Sequence, residues 1–151
     1  LEQWHASWSR TLQVNLQAPA DLCRSAIQHY LARGGGIIIN VASRGAFRGE
    51  RATYAHYSAS KGALVSLTRS LARNFAKEGV LSYCVSPGWT ATDMAFQGAS
   101  PEVLEAGKLE NPFGEITPPE DVAEVITFLS SGRSPHANGI TFDVTGGSYM
   151  R

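Results

Sequence analysis

"GGGIIINVAS", Gly34 to Ser43, contains the longest apolar run in the chain, and its reading decides the fold. Three glycines stop whatever precedes them. The continuous β-branched run after them suits a parallel strand covered on both faces, because a strand with one wet face would alternate apolar and polar residues. Parallel neighbours need crossovers of about a dozen residues or more, so helical periodicity is expected on either side.

Both flanks carry it. Towards the N-terminus, residues 2–32 space Trp4, Trp8, Leu12 and Leu16 by four, with Pro19 expected to bend this helix or limit its N–H bonding. Towards the C-terminus, residues 54–77 put Leu64, Leu67, Leu71 and Phe75 on one helical stripe, ending at Glu78-Gly79. "VLSYCVS", Val80 to Ser86, is a second strand closed by Pro87-Gly88. In "TPPEDVAEVITFLSS", Thr117 is the expected N-cap and Glu120 its capping-box partner, with Val122, Val125, Ile126 and Leu129 facing the core. "GITFDVTGG" alternates Ile140, Phe142 and Val144 with polar neighbours and forms a third strand. The order α-β-α-β-α-β predicts an α/β fold with a parallel sheet and right-handed connections, half of a doubly wound domain. Residues 88–118 have no sustained period. A compact domain rarely keeps about thirty structureless residues unused, and the segment is read as a substrate lid.

Composition narrows the function. Thirteen Lys+Arg balance thirteen Asp+Glu, so no overall field draws in a nucleic-acid backbone or an anionic membrane. The run Gly36–Ala42 is far shorter than the roughly 18 residues of a membrane span, and no signal-peptide pattern opens the chain. Cys23 and Cys84 stand alone, which argues against a zinc site or a disulfide framework and fits a reducing cytoplasm. The chain opens on Leu1 rather than methionine, directly ahead of the helically spaced Trp4 and Trp8, as in a segment that starts mid-structure.

In a doubly wound sheet, ligands sit at the carboxyl ends of the strands, so the informative residues should come after positions 41, 86 and 145. Tyr57 and Lys61, four apart at a helix start, lie one turn apart on one face. A tyrosine is a poor base at neutral pH, but a lysine cation about 4–6 Å away and a helix N-terminus favour the phenolate. Ser43, two residues beyond the first strand, is placed to hydrogen-bond a carbonyl or alcohol oxygen. Each residue also has an ordinary structural use. Ser43 can close a turn, Asn15 can be a satisfied interior asparagine, Pro87-Gly88 can be a turn and Thr92 a cap. The four histidines have no triad or H-E-x-x-H partner, no G-x-S-x-G elbow exists, and Arg44, Arg48 and Arg51 read as a solvated loop, with an acidic substrate or a neighbouring subunit as the alternative.

Taken together, "NVAS" after a buried strand, "YSASK", "SPGWTAT" after the next strand and "PPEDVA…FL…NGITFDVTGG" resemble the short-chain dehydrogenase/reductase family in order and spacing. The resemblance covers essentially this whole chain but only the C-terminal part of the family's Rossmann-type sheet. It implies that Tyr57 is the catalytic acid/base, that Lys61 holds the nicotinamide ribose of NAD or NADP while acidifying Tyr57, and that Ser43 positions the substrate oxygen. It further implies that the backbone carbonyl of Asn15 serves a water in the proton relay. Pro87, Gly88, Trp89 and Thr92 would meet the nicotinamide end, with the carboxamide bonding to the backbone at 89 and the Thr92 hydroxyl. Tyr54 and His56 should face elsewhere. Met94, Phe96, Val103, Leu104 and Leu109 would wall a moderately hydrophobic ketone or alcohol.

The family's first strand, its glycine-rich turn and the helix receiving the pyrophosphate are not found in these 151 residues. Gly34–Gly36 precedes a strand rather than coming after one. The chain is therefore expected to be either a fragment of a longer reductase or a truncated form. In the latter case the strand at 37–41 becomes a sheet edge seeking a partner. Homo-oligomers through helices 2–32 and 54–77 are expected. A noncatalytic, self-associating α/β module is the competing possibility. Glu115, where many relatives place a basic residue, and Thr145, in place of the commoner acidic residue, depart from the pattern at positions nearer subunit contacts than the proton step.

Overall fold

The structure, a computed structural model, describes residues 1–97 and 99–151. Three parallel strands, β1 (Gly36–Val41), β2 (Val80–Pro87) and β3 (Thr141–Val144), form one sheet in the order β1-β2-β3. Register pairs Ile38 with Ser82, Asn40 with Cys84 and Val85 with Phe142. The helices are α1 (Glu2–Leu12), α2 (Ala18–Arg33), the short α3 (Gly45–Arg48), α4 (Ala55–Phe75), α5 (Asp93–Phe96), α6 (Pro101–Glu110) and α7 (Pro119–Ser130). The uninterrupted β1 run has the cause expected of it: helices cover both sides. Ile38 packs with Cys23, Ile27 and Val80 beneath α2 and α4, while Ile37 and Ile39 join Tyr83, Val85, Val122 and Leu129 beneath α7.

This layering corrects the expected handedness. All three strands are parallel and step in one direction, yet the helix joining β1 to β2 lies on one face and the helix joining β2 to β3 on the other. Two such crossovers have opposite hands, so they cannot both be right-handed. The rule holds because a twisted strand feeds its helix directly back onto the sheet. Between β2 and α7 the chain first makes a long excursion, which frees that connection from the constraint.

The excursion departs from expectation as well, since it contains α5 and the ten-residue α6 rather than irregular chain throughout. Position 98, inside the expected lid, lies outside the described residues. Thr90 and Thr117 form a parallel bridge at the neck of the excursion, the Thr117 N–H donating to the Trp89 carbonyl at 3.0 Å. That bridge draws Thr117 away from its expected role. The residue capping α7 is Pro118, and the Thr117 hydroxyl is buried without a partner.

The first helix is one rod with a local defect. A π-turn, Gln13–Gln17, separates α1 from α2, and Pro19 lies in the first turn of α2. The ordinary donor to the Asn15 carbonyl would be the N–H of residue 19, and proline has none. At the other end Gly34, at φ 84°, gives the left-handed C-cap that lets the chain turn into β1. The 54–77 helix is trimmed to α4, with 3-10 turns Ala52–Tyr54 and Ala76–Glu78 at its ends. Cys23 and Cys84 are free and buried. Among the described residues no helix is long and apolar enough to cross a membrane.

Candidate functional site

The polypeptide leaves β1 through Ala42 and Ser43 and turns at once into α3. The Ser43 hydroxyl accepts a hydrogen bond from the Gly45 N–H at 3.1 Å, which is the ordinary turn-closing use of serine. The same hydroxyl is near enough to the Tyr57 phenol to favour its ionised form, although it makes no hydrogen bond to it in this arrangement. Tyr57 and Lys61 occupy the first turns of α4. The Lys61 Nζ donates to the Val41 carbonyl at 2.9 Å and lies 5.8 Å from the centre of the Tyr57 ring. Serine, tyrosine and lysine thus converge at the carboxyl end of β1, where the sheet geometry places ligands.

The electrostatics differ from the sequence expectation. Burial pushes the Tyr57 phenol above its ordinary value, the Ser43 hydroxyl offsets part of that, and the Glu50 charge raises it further. Burial lowers Lys61, with the nearby Cys84 acting the other way. Tyr57 is therefore a protonated donor at neutral pH in the protein alone, burial outweighing what the lysine charge gives the phenolate. The physical reason is that one ammonium, engaged with a carbonyl, does not outweigh removal of a phenolate from water.

Asn15 approaches from the π-turn. Its Nδ2 donates to the Ser60 Oγ at 3.1 Å, and that hydroxyl donates to the Tyr57 carbonyl at 2.7 Å, joining the first helix to the turn that bears the tyrosine. Tyr54 is exposed, and His56 points to the Thr11 hydroxyl and stands edge-on to Trp8. Both are directed away from the Ser43 turn.

On the neighbouring strand, Pro87 ends β2 and its carbonyl accepts the Arg44 N–H at 2.9 Å. Gly88 packs so closely on β3 that an added Cβ would stand 3.0 Å from the Thr145 Cα. The Trp89 ring fills the space where Gly107 of α6 would carry a side chain, so α6 packs on this indole. Gly107→Ala is expected to push the ring aside at a cost of about 1–3 kcal/mol, read as a lower midpoint in denaturant unfolding; an unchanged midpoint would mean the two surfaces are not packed together. Thr92 precedes α5, and its exposed hydroxyl makes a long contact, 3.4 Å, to the Thr90 carbonyl. The expected apolar wall is open to solvent at Met94, Phe96, Val103 and Leu109.

The arginines depart from the solvated loop that their sequence suggests. Arg44 is 6% exposed, and it pairs with Glu110 and with the Ser148 hydroxyl, both at 2.7 Å. Arg48 reaches the same Glu110 oxygen at 3.3 Å. Burial alone would raise Glu110, but the hydrogen bonds and charges of Arg44 and Arg48 together hold it below the usual carboxylate range. Nothing in local sequence signals a partner 66 residues away.

A family model described as Enoyl-(Acyl carrier protein) reductase matches residues 1–149. A short-chain type dehydrogenase/reductase of Picea abies is 37% identical over 140 residues, covering 93% of this chain and 51% of that protein. Among solved structures, a 3-oxoacyl-(acyl-carrier protein) reductase from Brucella melitensis superposes with a TM-score of 0.90 at 29% identity, covering 97% of this chain and 54% of the other. A structure from Beutenbergia cavernae, provisionally described as an NAD(P)-dependent gluconate 5-dehydrogenase with NADP bound at low occupancy, gives 0.88 at 37% identity, with 93% and 57% covered. The chain spans about half the length of the curated relatives it matches.

Proposed function

The chain belongs to the short-chain dehydrogenase/reductase family, and on that premise we propose that it is the catalytic half of an NAD(P)-dependent oxidoreductase that reduces a ketone or oxidises a secondary alcohol. The observation that carries this is the convergence at the end of β1: Lys61 donates to the Val41 carbonyl, two residues before Ser43, and lies 5.8 Å from the centre of the Tyr57 ring.

The residues fit the nicotinamide-ribose end of such a cofactor. Lys61 is half-buried and uses one of its three N–H donors on Val41. Tyr57 adds a hydroxyl beside it. Lys61, Tyr57, Pro87, Gly88, Trp89 and Thr92 would hold that end, with no preference between NAD and NADP readable from them. When bound, the cofactor supplies or takes up the hydride.

The chain's own residues manage the proton. In the reductive direction Ser43 donates a hydrogen bond to the substrate oxygen, and Tyr57 gives its proton to that oxygen as the carbonyl carbon gains hydride. Burial that raises the phenol suits it to this role as acid. The Asn15 carbonyl, left without its ordinary helical donor by Pro19, is available to a water that returns the proton. The exposed apolar side chains of α5 and α6 support a moderately hydrophobic substrate.

A second reading keeps the fold and drops the chemistry: a self-associating α/β module. It is supported by α1, which buries none of its residues and leaves Trp4 52% exposed, on the helices a homo-oligomer would use. Titration with NADH and NADPH, followed by fluorescence or calorimetry, separates the two. Saturable binding that Lys61→Met weakens supports the oxidoreductase; no heat and no fluorescence change at millimolar cofactor leaves the module.

A further inference from the structure

Arg44 has no part in the proton steps, yet it is the one buried charged residue among those described. Its backbone belongs to the turn that carries Ser43. The Arg44 N–H donates to the Pro87 carbonyl at 2.9 Å, and its carbonyl accepts the N–H groups of Phe47 and Arg48 at 3.0 and 3.1 Å. Its side chain leaves that turn for two distant segments. Nη2 donates to Glu110, the last residue of α6, and Nη1 to Ser148, whose own hydroxyl donates to the Thr145 carbonyl at 2.7 Å.

We propose that Arg44 is a positioning residue, coupling the C-terminal end of the lid to the Ser43 turn so that the serine hydroxyl is held in place at the carboxyl end of β1 while Glu110 is engaged. The lid is fastened to the body at that end by two contacts, the Arg44–Glu110 pair and Asn111, 7% exposed, lying against Gly146, while the Trp89 ring against Gly107 braces α6 from within. Beyond the Thr90–Thr117 bridge at the lid's neck, α5, with Met94 81% exposed, makes no side-chain hydrogen bond or ion pair among the described residues. A substrate entering beneath α5 therefore meets a lid hinged at Glu110, and the hinge is tied to the residue next to the serine.

Guanidinium geometry explains why arginine serves here. Two different nitrogens address two partners at 2.7 Å, whereas a lysine ammonium is a single point and would keep one. The shared Glu110 oxygen, also met by Arg48, balances charge that the fold has taken out of water. The coupling stands on these contacts; only its consequence for a reaction rests on the oxidoreductase reading.

Hydrogen exchange on the chain without cofactor tests it. Glu110→Gln is expected to speed amide exchange about tenfold or more in residues 101–110 and in 43–48 together, leaving α7 as it was. Glu105→Gln, which removes only the exposed pair with Lys108, should leave both segments unchanged. Tyr57 supplies a second readout. NMR titration of labelled tyrosine, assigned with Tyr57→Phe, should show its midpoint rise in Glu110→Gln as the Ser43 hydroxyl, which favours the phenolate, moves away. Acceleration of 101–110 alone, of neither segment, or an unmoved Tyr57 midpoint overturns the proposal. Should Glu110→Gln unfold, Glu110→Asp keeps the charge at shorter reach and must loosen the same two segments to a smaller degree; loosening one without the other overturns the coupling equally. Because no cofactor or substrate is added, failure here is distinct from failure to bind NADH or NADPH.

Discussion

In the cofactor-bound protein, Tyr57→Phe is expected to lower turnover by about 10²–10⁴-fold while weakening the cofactor by no more than about tenfold, the worth of the one hydrogen bond its hydroxyl offers. The loss of turnover is the usual contribution of a positioned general acid or base. The substitution removes one oxygen from a half-buried ring, so its effect on folding should stay within about 0.5–1.5 kcal/mol, the net worth of an ordinary hydrogen bond. The Ser43 hydroxyl keeps its contact with the Gly45 N–H, so the turn after β1 survives. Lys61 remains bound to Val41, since that contact does not involve the phenol. Steady-state rates paired with a cofactor titration read the two quantities separately. A variant retaining most of its turnover would remove Tyr57 from the proton step. One losing turnover and cofactor together would instead make the hydroxyl a binding group.

Lys61→Met should cost about 10²-fold in alcohol oxidation at neutral pH and shift the pH profile towards alkali. In that direction Tyr57 must accept a proton, so the rate tracks the fraction of phenolate. The protein starts at a disadvantage, because burial and Glu50 hold the phenol above its ordinary value. A unit charge about 6 Å away at an effective dielectric near 20 contributes about 3 kcal/mol, or about two pH units, which bounds what Lys61 can give the phenolate. Removing the cation raises the folded pKa of Tyr57, so the basic limb appears at higher pH, and raising the pH recovers part of the lost rate. Val41 is 41% exposed, so water can replace the ammonium at its carbonyl and the fold should hold. A uniform loss at every pH would assign Lys61 to cofactor binding alone. Stability moves the same way: a phenol whose folded pKa is raised contributes stability below its unfolded value that is lost as pH climbs, so the alkaline arm should be measured well short of unfolding.

Local chemistry carried much of this in advance. Glycine-bounded isoleucines cannot be half-solvated, and that alone required helices on both faces of β1. Tyr57 and Lys61 share a face because α-helical geometry places residues four apart together, whatever surrounds them. Pro19 withholds an N–H from Asn15 wherever it is found in a helix. The capping signal at Thr117 failed for the opposite reason: a backbone bridge to Thr90 supplied a competing use that no window of sequence contains. The weak period across 93–113 likewise hid α6, whose faces are divided between Trp89 and solvent rather than between core and solvent.

Spacing along regular elements was enough to give the strands, the helices between them and the placing of Ser43, Tyr57 and Lys61 at one end of the sheet. Long-range packing settled three further points: opposite hands for the two crossovers, burial of Arg44 against Glu110, and the partial burial of Tyr57, which works against its lysine. Each depends on what distant segments bring to a point and on how much water they exclude. To those quantities the order of residues along the chain is only an indirect guide.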